Sequence, residues 1–255
     1  MRLLRVHTLT FEEFPDTSRR PPYVIASHRW LGTEITYQDV LTRTYTSSEG
    51  FKKVERFADY IIKNVKSVKH LWIDTCCINK ENLPELSRSI TSMFKWYHEA
   101  QQCLAYLHDV PNSEVCTNKN RDLRAFETSS WFTRGWTLQE LLAPRTVVFL
   151  TKDWKVIGHK GTADTRLRED LFGPQLHYLL SQITKIPERV LIDYSHSQQL
   201  SVDERLEWMN KREITKEEDM MYALFGIFDI SIEVLYGEDT ALHEEIMRKL
   251  ISTTM

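Results

Sequence analysis

Four short, unbroken apolar runs do most to limit how this chain can fold: Tyr23-Val-Ile-Ala-Ser27, His70-Leu-Trp-Ile-Asp74, Cys103-Leu-Ala-Tyr-Leu107 and Thr146-Val-Val-Phe-Leu150. Each is too short for a stable helix and apolar at successive positions, the pattern of a strand buried on both faces. Pro21-Pro22 closes off helix ahead of the first run. Between the runs the period changes. Phe51, Val54, Phe57, Ala58, Ile61, Ile62 and Val65 repeat at helical spacing and predict a helix over 50–66. Leu86, Ile90, Met93, Phe94 and Tyr97 do the same over 83–100, with Pro84 in the first turn. Strand alternating with helix predicts an α/β fold: a mainly parallel, doubly wound sheet of about five strands flanked by helices. The fifth strand is expected within residues 154–157.

Beyond residue 160 the pattern turns helical, with candidates at 166–172, 175–184, 202–210, 216–228 and 239–251. Thr215-Lys-Glu-Glu218 has capping-box spacing. The expected organisation is an α/β core over 1–158 and a helical extension over 159–255 packed on it. Gly158 and Gly161 mark a loop at the junction and not a long linker.

Composition narrows the function classes. A formal net charge of −3 offers no basic field for nucleic acid or anionic membrane, and Arg19-Arg20 and Lys52-Lys53 read as solvated faces. The cysteines at 76, 77, 103 and 116 form no CxxC pairs, and the first three sit in apolar stretches, as reduced cysteines do. The start, Met-Arg-Leu-Leu-Arg-Val-His-Thr, interrupts its apolar run too early for a signal peptide. No apolar run approaches the roughly 20 residues that span a bilayer. These features predict a cytoplasmic protein with no membrane or nucleic-acid partner. GxGxxG, GxxxxGK[ST] and HExxH are absent from the sequence, so no metal or cofactor is implied.

In an open parallel sheet, ligands sit outside the carboxyl ends of the strands. Three polar turns are expected there: Ser27-His28-Arg29-Trp30, Asp74-Thr75-Cys76-Cys77-Ile78-Asn79 and Arg134-Gly135-Trp136-Thr137. Glu140 follows Trp136 by four residues, which puts carboxylate and indole on one face of the helix predicted over 136–142. Beside an indole at a sheet edge the carboxylate would be partly desolvated, with a raised pKa. The competing reading is a surface glutamate paired with Arg134 or Arg145. Asp74 reads equally as a cap for the turn after its strand, Arg29 as half of an ion pair, and His28 as structural. A cysteine nucleophile at 76 or 77, served by His28 or His98, has nothing to fix its geometry.

Taken together, three segments resemble the heterokaryon incompatibility (HET) domain of filamentous fungi. They are Tyr23 to Trp30; Leu71-Trp72-Ile73-Asp74 through Cys77-Ile78-Asn79 to Ser89-Ile90, Met93 and Trp96-Tyr97; and Trp131-Phe132-Thr-Arg134-Gly135-Trp136-Thr137-Leu138-Gln139-Glu140-Leu141-Leu142-Ala143-Pro144. The resemblance continues through Arg212-Glu213, Glu217-Glu218-Asp219, Tyr222, Gly226-Ile227-Phe228 and Leu235-Tyr236-Gly237-Glu238. Two positions depart from the family pattern: Leu31 separates Trp30 from Gly32, and Asp239 follows Gly237-Glu238. The family implies a cell-death effector in nonself recognition, usually one part of a larger receptor.

The HET domain is in turn similar to Toll/interleukin-1 receptor (TIR) domains, whose sheet is flavodoxin-like. Ser27-His28-Arg29 echoes the Ser-Phe-Arg that ends their first strand, and Arg134 to Leu141 resembles their Ser-x-Trp-Cys-x-x-Glu-Leu. That likeness places Glu140 where these enzymes carry the glutamate that cleaves NAD at the nicotinamide–ribose bond. It implies a substrate-binding surface made by Ser27, His28, Arg29, Trp30, Asp74, Cys77, Asn79, Arg134 and Trp136. NAD or a related nucleotide is then the substrate and not a cofactor. Self-association and receptor domains, in cis or in trans, are the implied partners. The alternative is a non-enzymatic death adaptor that acts by oligomerising and recruiting partners.

Overall fold

The structure, a computed structural model, describes residues 1–44, 48–112, 123–162, 172–216 and 218–230. Its seven strands are β1 (Arg2–Arg5), β2 (Phe11–Glu13), β3 (Val24–His28), β4 (His70–Trp72), β5 (Gln102–Tyr106), β6 (Thr146–Leu150) and β7 (Val156–Gly161). They form one sheet in the order β2-β1-β4-β3-β5-β6-β7. The α/β class stands, but the expected strand number and direction are corrected. The pairings β3–β4, β3–β5 and β5–β6 are parallel, whereas β1–β2, β1–β4 and β6–β7 are antiparallel. The sheet is mixed. An antiparallel hairpin (β1, β2) extends one edge, and β7 covers the other.

The unpredicted hairpin has a physical explanation. Leu3 and Leu4 are fully buried, but Arg2 and Arg5 bracket them, and β2 contributes only Phe-Glu-Glu. Neither strand carries a run long enough to announce itself.

The four central strands match the four apolar runs. In chain order these parallel strands lie second–first–third–fourth, a doubly wound arrangement with its topological switch point between β3 and β5. Helix α1 (Tyr37–Thr42) and helix α2 (Glu49–Asn64) join β3 to β4. The single turn α3 (Asp74–Cys77) and helix α4 (Leu83–Glu99) join β4 to β5. Ser48 caps α2 by accepting from the Phe51 N–H, and Asn82 caps α4 by accepting from Glu85 N–H. The helical stripe of α2 buries Val54, Phe57, Ala58 and Ile61. On α4, Ile90, Met93 and Tyr97 are buried, and the Tyr97 hydroxyl donates to Ala26 O of β3 at 2.9 Å.

After β5 come the single turn α5 (Arg124–Glu127) and helix α6 (Thr137–Leu142), which packs beside α4. The second half is a series of short helices: α7 (His177–Thr184), α8 (Glu188–Ile192), α9 (Val202–Leu206) and α10 (Glu218–Tyr222). Short 3-10 turns at Glu207–Met209 and Phe225–Ile227 complete two stretches expected to be helical throughout. Helix α8 was not predicted. The expected helix over 239–251 and nearly all of that over 166–172 lie outside the described residues, as do Cys116 and the motif at 235–239. Among the described residues, no helix is long and apolar enough to cross a membrane.

Candidate functional site

Strand pleating sorts the residues at the end of β3. Successive side chains point to opposite faces, so Ser27 and His28 part company. The Ser27 hydroxyl donates to Glu140 Oε2 of α6 at 2.5 Å and accepts from the Trp131 indole N–H at 2.8 Å. His28 points to the other face, its ring 6.1 Å from that of Phe57 on α2. Among the described residues neither ring nitrogen of His28 has a hydrogen-bond partner, and burial holds its pKa well below the usual range. The imidazole is neutral and stands apart from Glu140.

Glu140 is not the exposed, ion-paired residue of the competing reading. Only 7% exposed, it sits in the first turn of α6 with one oxygen held by Ser27. Burial raises its pKa from 4.5 to about 7; the Ser27 hydrogen bond opposes the rise, Asp74 adds to it, and Arg134 opposes it. Glu140 therefore exchanges a proton near neutrality, as a group that changes protonation during a reaction must.

Glu140 opens onto a cavity of about 460 Å³, within the range of small-molecule sites. Arg29, Trp30, Asp74, Arg134 and Trp136 share that lining with it. The Trp30 N–H donates to Asp74 Oδ2 at 2.9 Å, so Asp74 orients an indole and does not cap the turn of α3. Arg29 donates to Ser130 O at 3.1 Å, which fixes one guanidinium nitrogen. Cys77 and Asn79 are not brought into the cavity. The Cys77 thiol lies inside the α3 turn, against Ile73 N–H and Leu71 O. Asn79 accepts from Glu81 N–H and donates its own backbone N–H to Glu85, shaping the entry to α4. Cys76, Cys77 and Cys103 are all free and buried.

Several contributors were not singled out from the sequence. Lys80 lines the cavity with its Nζ 3.6 Å from the centre of the Trp30 ring. Trp131 supplies the indole N–H behind Ser27. The second half of the chain provides a wall through Thr215, Lys216 and Asp219. It reaches the site because residues 133–135 pair with Glu213: Gly135 N–H donates to Glu213 O at 2.8 Å, and Glu213 N–H donates to Thr133 O at 2.5 Å. Arg212 locks this joint, donating to Trp208 O, Arg134 O and Thr137 Oγ1. A signal existed for Arg212, which falls inside a family-like motif. The same signal existed for Trp131, which opens the third family-like segment, whereas Lys80 depends on an approach between distant segments, which no local pattern encodes.

Residues 23–121 match the family described as Heterokaryon incompatibility protein (HET). The chain is also 37% identical over 234 residues to the Vegetative incompatibility protein HET-E-1 of Podospora anserina, an alignment covering 91% of this chain and 16% of that protein. The chain thus spans under a fifth of that relative's length. No solved structure matches it significantly. The family match over β3 to the segment beyond β5 and the 37% identity through the second half together support a heterokaryon incompatibility (HET) domain in this chain.

Proposed function

We propose that this chain is a cell-death effector domain in heterokaryon incompatibility, and that on self-association it hydrolyses NAD, or a related nucleotide, at the nicotinamide–ribose bond. The observation that carries the reading is the placement of Glu140. A buried carboxylate with a pKa near 7 is anchored by Ser27 and opens onto a cavity walled by two tryptophans and several cations. The second–first–third–fourth order of the parallel strands supports the flavodoxin-like, TIR-like reading, because it sets the switch point at the end of β3.

The chemistry needs one ionised carboxylate. Nicotinamide in NAD is cationic and leaves as a neutral base, taking the electron pair of the broken C–N bond, so no general acid is required. Positive charge develops on the ribose, where ionised Glu140 stabilises it and holds the sugar hydroxyls. Water then adds to the anomeric carbon and loses its proton to the carboxylate. Trp136 or Trp30 stacks on a ring, and Arg29 meets the diphosphate.

The test is nicotinamide release from NAD by the purified chain, concentrated or forcibly oligomerised. Glu140→Gln is expected to lower the rate by roughly a thousandfold, equivalent to ~4 kcal/mol of transition-state stabilisation. Equal turnover in that variant removes the assignment. The adaptor alternative makes the opposite prediction in cells: Glu140→Gln still kills, whereas charge reversals on exposed helices that block assembly do not.

A further inference from the structure

The cavity that Glu140 lines carries a second unexplained feature. Trp30 is 39% exposed, its N–H fixed on Asp74, and two cations crowd its ring: Lys80 Nζ at 3.6 Å and Arg134 Cζ at 5.3 Å from the centroid. Among the described residues neither cation forms an ion pair. Lys80 is mostly enclosed. Burial lowers its pKa, Asp74 works against that fall, and Arg134 adds to it. Two like charges thus share one aromatic surface in the cavity lining and repel each other, and Asp74, whose pull on Lys80 outweighs the push of Arg134, is bonded to the edge of that same ring. An indole face offsets part of the desolvation of one cation, and one carboxylate against two cations leaves a net positive charge at the ring.

We propose that Lys80 and Arg134 are the two jaws of a clamp for the diphosphate of a nucleotide, and that Trp30 is the surface on which they wait. A dianion between them relieves their repulsion and replaces each aromatic contact with a charge-assisted hydrogen bond, the stronger interaction. The exchange also clears the Trp30 face, so a heterocyclic ring can stack where a cation stood. Arg134 suits bidentate contact with phosphate oxygens, and Lys80 acts as a compact point charge on a flexible stem. Asp74 stays bonded to the indole N–H and keeps the ring oriented during the exchange. This rests on the hydrolase reading and deepens it by setting two further cations beside Arg29 at the diphosphate, and it assigns Lys80 as a binding residue.

ADP-ribose is the direct probe, because it has the diphosphate and lacks the bond to be cut. Calorimetric titration of the intact chain is expected to show binding that Lys80→Met weakens by about tenfold or more, the scale of one charge-assisted contact. Lys80→Arg, which keeps the charge, restores most of the affinity; Lys80→Gln stands in should the Met variant fail to fold. Inorganic phosphate, with one phosphoryl group and no ring, binds more weakly than ADP-ribose. Equal affinity in wild type and Lys80→Met, equal affinity for phosphate and ADP-ribose, or no ADP-ribose binding at all overturns the clamp. Nicotinamide release from the same preparations separates the two ideas. Lys80-dependent binding without release sinks the hydrolase and leaves the clamp, and release without Lys80 dependence does the reverse.

Discussion

Glu140 carries a stability cost that can be measured without any substrate. Its folded pKa of about 7 lies above the ordinary 4.5, so between those values the native state keeps a proton that the unfolded chain has released. The contribution is therefore fully present below pH 4.5 and is lost as pH rises through about 7, a change of roughly 3 kcal/mol. Glu140→Gln is uncharged at every pH and escapes the loss. Its stability advantage over wild type is expected to be near zero at pH 4.5 and to widen by pH 8, read from urea midpoints at the two values. A gap that does not change with pH contradicts the buried, neutralised carboxylate. At this scale the sequence was partly legible. The i, i+4 spacing of Trp136 and Glu140, and the strand ending at Ser27, pointed to residues that meet or share the cavity. The same turns also suggested His28, Cys77 and Asn79, which the strand's alternation and the closed α3 turn direct elsewhere.

The short helix α6 holds its position through its ends. Its capping position, Trp136, makes no side-chain capping bond. In the first turn Thr137 Oγ1 accepts from Arg212 and lies within hydrogen-bond distance of both Trp131 O and Arg134 O, which share its one hydroxyl proton. At the far end the buried Lys160 donates to Leu142 O and Pro144 O, meeting carbonyls that no further turn could satisfy. Burial lowers the Lys160 pKa to about 7, so around neutrality it serves these carbonyls in both its charged and neutral forms. Arg212 is likewise buried, which brings its pKa down to about 10, so its charge is retained at neutral pH. Arg212→Met leaves Arg134 O and Trp208 O short of a donor and is expected to cost about 1–3 kcal/mol in chemical denaturation. It should also lower nicotinamide release by loosening Arg134; unchanged stability and turnover would show that the joint is dispensable. The elements most legible in sequence were the four central strands and the helices α2 and α4, each long or apolar enough to display its period. The hairpin of β1 and β2 and the five-residue α8 were hidden because their short patterns offer too few positions to show a period.

The molecule works as one body because its second half builds part of the cavity. The expected picture was a helical extension packed on a core; in the structure the extension donates Thr215, Lys216 and Asp219 to the wall and Arg212 to the joint. A further anchor is the 3-10 turn Phe225–Ile227 against α4. A methyl group at Gly226 would overlap Phe94 Cβ, an atom too close to the backbone to swing aside. Gly226→Ala is expected to lower stability by about 1–3 kcal/mol in thermal unfolding, and a wild-type melting temperature would argue that the turn sits elsewhere. The overall sheet was only half legible: residue pattern identifies strands, but the direction of pairing at the edges depends on connections that the pattern does not encode. One carboxylate, that of Glu140, decides whether this cavity is an active site. The most direct measurement is the pH dependence of kcat/KM for nicotinamide release from NAD. The rate is expected to rise through about pH 7 as Glu140 ionises, to level off above it, and to collapse across the whole range in Glu140→Gln. A flat profile, or the same profile in the variant, contradicts that expectation.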